Sequence, residues 1–136
     1  MSFLRAPVWF VTAALLLAVS SASLVVAQSK RDISVVGRKY TYVVADAQGP
    51  EISVQLGDMV SVTFSVEDIA HSFTISDDHY RIDRRADRGK PVKFQFLADK
   101  AGKFEIKCTL TADERCVREM RGRLVVSPSK SDQPRR

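Results

Sequence analysis

Apolar and polar residues alternate with a period of two through much of the chain. Ile52, Val54 and Leu56 are separated by Ser53 and Gln55. Val60, Val62, Phe64 and Val66 are separated by Ser61, Thr63 and Ser65, and Val92, Phe94 and Phe96 by Lys93 and Gln95. Successive side chains of an extended chain point to opposite faces, so each run is expected to be a strand with one buried and one wetted side. Further strands are predicted at 33–36, 39–44, 71–76, 103–108 and 121–127. Turn chemistry falls between the runs, at Gly49-Pro50, Gly57-Asp58, Gly89-Lys90-Pro91 and Ala101-Gly102. Seven to eight short strands joined by turns predict an all-β chain folded as a β-sandwich. One helical signal interrupts them. Thr111-Ala112-Asp113-Glu114 has the form of a capping box, with Thr111 capping and Glu114 reaching back. A short helical turn there, before the last strand, would put Cys116 and Met120 on one face at i and i+4.

The two ends differ from this pattern. Residues 6–27 are apolar apart from Thr12, Ser20, Ser21 and Ser23, follow the basic Arg5, and close on Val25-Val26-Ala27 before Gln28. That is the form of a secretory signal peptide over 1–27. A membrane anchor is the alternative, since about 20 apolar residues span a bilayer. The hydroxyl groups and the small residue before Gln28 favour cleavage. Residues 28–127 are then one domain, and the polar stretch 128–136 is expected to be a disordered tail. No internal repeat is present.

Three segment ends carry the candidate chemistry. His71 shares strand parity with Phe73 and Ile75, Cys108 with Phe104 and Ile106, and Met120 with Gly122, Leu124 and Val126. All three are therefore aimed at the core. Imidazole, thiolate and thioether are a donor set suited to copper, with methionine as the weak axial ligand. The loop holding Cys108, Cys116 and Met120 gathers the sulfurs together. Core filling by Met120 and a satisfied core histidine at His71 are the plainer readings of each residue alone. His79 falls in a polar hairpin and is expected to be solvated. Export alters the cysteines: in an oxidising compartment Cys108 and Cys116 form a disulfide unless something occupies them.

Charge narrows the partners. The chain carries a formal +5, spread rather than clustered. Asp77, Asp78, Asp83 and Asp87 interleave with Arg81, Arg84, Arg85 and Arg88 in a loop expected to be solvated surface. An unbroken basic stripe with exposed aromatics is absent, so no nucleic acid is expected as a partner. No paired carboxylates, nucleophile–base spacing or phosphate loop points to an enzyme.

A resemblance rests on four stretches: Pro50–Asp58, Asp68-Ile69-Ala70-His71-Ser72-Phe73, Ala101–Cys108, and Met120-Arg121-Gly122-Arg123-Leu124-Val125-Val126. The chain resembles the cupredoxin family, including the copper domain of cytochrome c oxidase subunit II, from about Gly37 to Val126. The resemblance implies a Greek-key sandwich with copper at one end. It implies His71 as the first histidine ligand, Cys108 as the thiolate and Met120 as the axial methionine. The family's second histidine is missing, and Cys116 stands four positions before the methionine where many members carry it. A binuclear site, which takes two cysteines three residues apart and then a histidine, is not matched: seven residues lie between Cys108 and Cys116, and no histidine follows.

The implied site is therefore His71, Cys108, Cys116 and Met120. One imidazole with two thiolates is softer than the blue-copper plane and favours Cu(I). The expectation is an exported, periplasmic or extracellular copper-binding protein in electron transfer or copper handling, with a redox or copper-handling partner. Contact with a membrane is expected only if the N-terminal segment stays attached. The alternative is a metal-free module locked by a Cys108–Cys116 disulfide, serving binding or scaffolding.

Overall fold

The alternating runs form two sheets that share one core. The computed structural model describes residues 28–129, so the expected signal segment 1–27 and residues 130–136 of the expected tail lie outside the described residues. In chain order the elements are β1 (Lys30–Arg38), β2 (Thr41–Val44), β3 (Glu51–Gln55), β4 (Met59–Val66), β5 (His71–Ile75), β6 (Ile82–Ala86), β7 (Val92–Leu97), β8 (Gly102–Lys107), α1 (Glu114–Glu119) and β9 (Arg121–Ser127). One sheet has the order β2-β1-β4-β7 and the other β3-β9-β8-β5-β6. β1–β4 and β3–β9 are parallel, and the remaining pairs are antiparallel. Among the described residues no helix is long and apolar enough to cross a membrane.

Hydrophobic alternation sets the register. Val60, Val62, Phe64 and Val66 are buried, while Met59, Ser61, Thr63 and Ser65 between them are half-buried. Pairing of Ile52 with Leu124 and Val54 with Val126 aims both apolar rows inward. A slip of one residue would turn every one of these side chains outward. Phe73 anchors the centre, with ring centroids 5.8 Å from Phe64, 6.1 Å from Tyr42 and 5.2 Å from Phe94. Gly122 is required where β9 passes β3: a Cβ there would lie 2.9 Å from the Pro50 carbonyl oxygen and 3.2 Å from the Tyr42 ring.

Two expectations are corrected. Residues 82–86, read as solvated loop, form a ninth strand on the edge of the second sheet. Only Ile82 and Ala86 face inward, with three exposed charged residues between them, so no period of two is visible. Main-chain pairing with β5 makes the strand, Ile82 opposite Ile75 and Ala86 opposite His71. Its charges suit an edge that must not recruit another chain. At the helix, Asp113 rather than Thr111 is the N-cap. Its extended backbone (φ −123°, ψ 100°) presents the carboxylate to the N–H groups of Arg115 and Cys116. Glu114 pairs with Arg118 instead of reaching back. The later start leaves Met120 as the extended C-cap, outside the helix, its N–H donating to the Cys116 carbonyl.

Candidate metal centre

Four segment ends meet at one tip of the sandwich. β5 begins with His71, Cys108 follows the end of β8, α1 carries Cys116, and Met120 stands between α1 and β9. The β8–β9 ladder pairs Lys107 with Arg121. It runs one step further, the Cys108 N–H donating to the Met120 carbonyl at 3.4 Å. None of the four side chains reaches solvent: His71, Cys116 and Met120 are 0 % exposed and Cys108 1 %.

A ring nitrogen of His71 and the two sulfurs all lie within 4.8 Å of one another. Cys108 and Cys116 are at disulfide-bonding distance, their Cα atoms 5.4 Å apart, within the usual span for a bridge. The two cysteine sulfurs thus meet beside the imidazole.

The imidazole is held in one tautomer. His71 Nε2 lies 3.0 Å from Asp68 Oδ1, and the Lys39 N–H donates to Asp68 Oδ2 at 2.8 Å. A carboxylate only accepts, so the ring proton sits on Nε2. Burial raises the Asp68 pKa, but hydrogen bonds from the Ile69 and Lys39 backbone and from His71 outweigh it, and the carboxyl ends below its usual range. In the neutral ring this leaves Nδ1 as the lone-pair nitrogen. Among the described residues it is the buried side-chain nitrogen or oxygen without a hydrogen-bond partner. Such an orphan costs about 1–3 kcal/mol if nothing occupies it. Carboxylate to histidine to metal is the usual outer arrangement of a metal-bound imidazole. An unpartnered imidazole nitrogen beside two sulfurs fits a soft cation such as Cu(I).

The surroundings fix the other donors. The Ser72 N–H points at Cys108 Sγ at 3.4 Å. Ser72 Oγ accepts from the Thr109 N–H at 2.8 Å and joins Thr74 and Thr109 hydroxyls, and Thr74 Oγ1 donates to Asp83 at 2.9 Å. Tyr42, whose hydroxyl burial keeps protonated, donates to the Ser72 carbonyl at 2.5 Å. These bonds tie the Cys108 loop to the His71 strand. β1 approaches from the other side. A Cβ on Gly37 would meet His71 Cδ2 and Val66 Cγ1 at 3.1 Å and Met120 Cε at 3.3 Å. The Met120 methyl and the His71 ring therefore pack over the same glycine. Tyr40 roofs the tip, its ring edge-on to His71 with centroids 6.1 Å apart and the Arg115 guanidinium 4.2 Å from its centroid.

Asp68, Ser72, Gly37 and Tyr40 escape a search for ligand-type residues. Asp68 alone had a signal, a carboxylate three residues before the histidine. His79 lies apart, exposed and bonded to Asp99 at 2.5 Å. A groove of about 1200 Å³ is lined by residues such as Arg31, Glu51, Lys103 and Arg123 and by none of the four donors.

The sandwich, with this tip, is a cupredoxin-like fold. The chain superimposes on the periplasmic domain of subunit II of cytochrome oxidase (CoxB) of Bradyrhizobium japonicum with a TM-score of 0.61 and 19% identity, over 74% of this chain and 86% of that one. Auracyanin A, a "blue" copper protein from the green thermophilic photosynthetic bacterium Chloroflexus aurantiacus, gives 0.58 at 18% identity, over 73% of this chain and all 100% of that one. A chain of the mixed disulfide intermediate between the thioredoxin-like TlpA and cytochrome c oxidase subunit II gives 0.58 at 20%, over 81% and 90%. No family model matches the sequence, and no curated protein matches it.

Proposed function

We propose that this is an exported copper-handling protein whose residues 28–127 form one domain that binds a single Cu(I) at its tip. The observation that carries the reading is the buried, unpartnered His71 Nδ1, in a ring that brings a nitrogen within 4.8 Å of both cysteine sulfurs. His71 Nδ1, Cys108 Sγ and Cys116 Sγ would hold the ion, with the Met120 thioether as the weak fourth donor. Asp68 keeps the proton on Nε2 and so keeps Nδ1 available. The Ser72 N–H stabilises charge on the Cys108 sulfur. Bound copper supplies a soft one-electron centre. Two thiolates favour its cuprous state, and no donor edge is open to solvent for rapid exchange with a redox partner. Both points favour carrying copper over shuttling electrons.

The thiolates must be reduced to bind, so a thiol-reducing partner belongs to the proposal. A neighbour of the same fold is known as a mixed disulfide with a thioredoxin-like protein, which supports a partner of that kind. The second reading, a metal-free binding or scaffolding module locked by its disulfide, is favoured by the bonding distance of the two sulfurs. Anaerobic titration of the reduced protein with Cu(I) against a chromophoric Cu(I) chelator separates the two. One equivalent bound per chain, with a large loss of affinity in His71→Ala, is expected. Reduced protein that takes no Cu(I) from the chelator sinks the copper reading and leaves the locked module.

A further inference from the structure

All four donors are buried, so any ion or reductant must enter through something that moves. After Thr109, which is bonded to Ser72 and Thr74, the segment 110–119 has few ties to the sandwich. Cys116 is the one buried residue of α1. Thr111, Ala112, Glu114, Arg115, Arg118 and Glu119 are exposed. The polar bonds of 110–119 among the described residues run within the segment: Asp113 to Arg115 and Cys116, Arg115 to Glu119, Arg118 to Glu114, and the Asp113 N–H to the Leu110 carbonyl. The exceptions are the Met120 N–H to the Cys116 carbonyl, the Arg115 stack on Tyr40 and the Asp113 carboxylate beside the Tyr40 hydroxyl. A helix of six residues has little stability of its own. Its one fully buried side chain is Cys116, and at the segment's start Leu110 packs partly buried against the core.

We propose that residues 110–119 are a hinged flap latched by the Cys116 sulfur, and that the flap admits copper to the site. Cys108 and the Cys108–Met120 backbone bond form the hinge, since both flank the segment on the paired strands β8 and β9. With the bridge closed, the flap is down and the site takes no metal. Fraying of so short a helix exposes a sulfur to a dithiol reductant. A reductant thiolate attacks it, the Cys108–Cys116 bond breaks and the other cysteine leaves as thiolate. The reductant's second thiol then closes its own disulfide, so two electrons pass to the protein and two protons complete its thiols. The freed flap opens over His71 and Cys108. Cu(I), bound by Cys108, Cys116 and His71, draws Cys116 back and latches it again. The relatching step rests on the copper reading above, whereas release on reduction does not.

Arg115 and Arg118 make the flap its own reporter, because trypsin cleaves after both once the segment opens. The full exported chain is compared oxidised, reduced with a phosphine (which takes the bridge's sulfurs to thiols and itself becomes the phosphine oxide), and reduced then loaded anaerobically with one equivalent of Cu(I). Cleavage after Arg115 and Arg118 is expected to be roughly tenfold faster or more in the reduced, metal-free protein, because proteolysis follows the open population. Cleavage after Lys103 and Arg121 on the strands should stay slow, which excludes global unfolding. C116S, which has no latch, should be cut quickly in all three conditions. Equal protection of oxidised and reduced protein, or protection of C116S, overturns the flap. Opening on reduction that Cu(I) fails to reverse leaves the disulfide latch standing and rejects copper as the second latch.

Discussion

The imidazole of His71 is constrained on two sides, and each constraint makes a separate prediction. Asp68 fixes the tautomer through Nε2. Replacing it with alanine frees the ring proton to move to Nδ1 and should lower Cu(I) affinity about 10–100-fold. Competition with a Cu(I) chelator measures this, with the melting of the oxidised protein as the control for folding. Gly37 fixes position. The Cβ of Gly37→Ala would press on the ring, Val66 and the Met120 methyl together. Overfilling of this kind costs about 1–3 kcal/mol, read as a lower urea midpoint with an unchanged slope. That His71, Cys108, Cys116 and Met120 sit at the ends of neighbouring segments was legible from strand parity and the short helical turn. Gly37 was not, because a residue whose role is to leave space has no side chain to signal it.

Elements were legible where one face alone is buried. β4 announces itself through four buried residues and four half-buried ones in strict alternation. β5 is buried at all five positions because the Thr109 loop and the Asp83 side chain lie against Ser72 and Thr74 on its second face. Its existence was readable, but its covering was not. β6 has no period to read, since it is an edge held by main-chain pairing. The hydroxyl cluster joining β5, β6 and the Cys108 loop follows from that covering: Ser72 and Thr74 are polar yet buried, and they satisfy one another, Thr109 and Asp83. Ser72→Ala should strand the Thr109 N–H and cost about 1–3 kcal/mol in urea unfolding of the oxidised protein. At the far side of His71, the end of β1 grips the loop after β4 through the Arg38–Glu67 fork, at 2.6 and 2.7 Å. The Arg38 hydrogen bond holds the Glu67 carboxyl below its usual range. A lowered native pKa means the fork contributes above about pH 4.3 and is lost as pH falls through the native value. Carboxyl chemical shifts should show Glu67 titrating below the usual glutamate range.

For the molecule as a whole, bridge and metal act on the same loop and so stabilise in the same currency. Cys108 and Cys116 are eight positions apart, and closing so short a loop is worth about 2.5 kcal/mol through the entropy of the unfolded chain. Reduction without metal removes that contribution. In a domain near 100 residues each kcal/mol moves Tm by roughly 4–8 °C, so a fall of about 10–20 °C is expected. On the proposed copper reading Cu(I) would bind the folded chain more tightly, because only folding brings His71 to the sulfurs, and at a hundredfold excess over Kd it would return up to about 2.7 kcal/mol. Calorimetry should therefore rank the oxidised and copper-loaded proteins together and the reduced, metal-free protein well below both. Single variants sort the donors within that ranking. His71→Ala should keep the fall on reduction but lose most of the copper recovery, since it leaves the bridge intact and removes the nitrogen. Met120→Leu should keep most of both, because a weak axial thioether adds little binding energy and leucine fills nearly the same volume. Copper recovery that survives in His71→Ala and disappears in Met120→Leu would reverse the assigned roles and place the ion among the sulfurs alone.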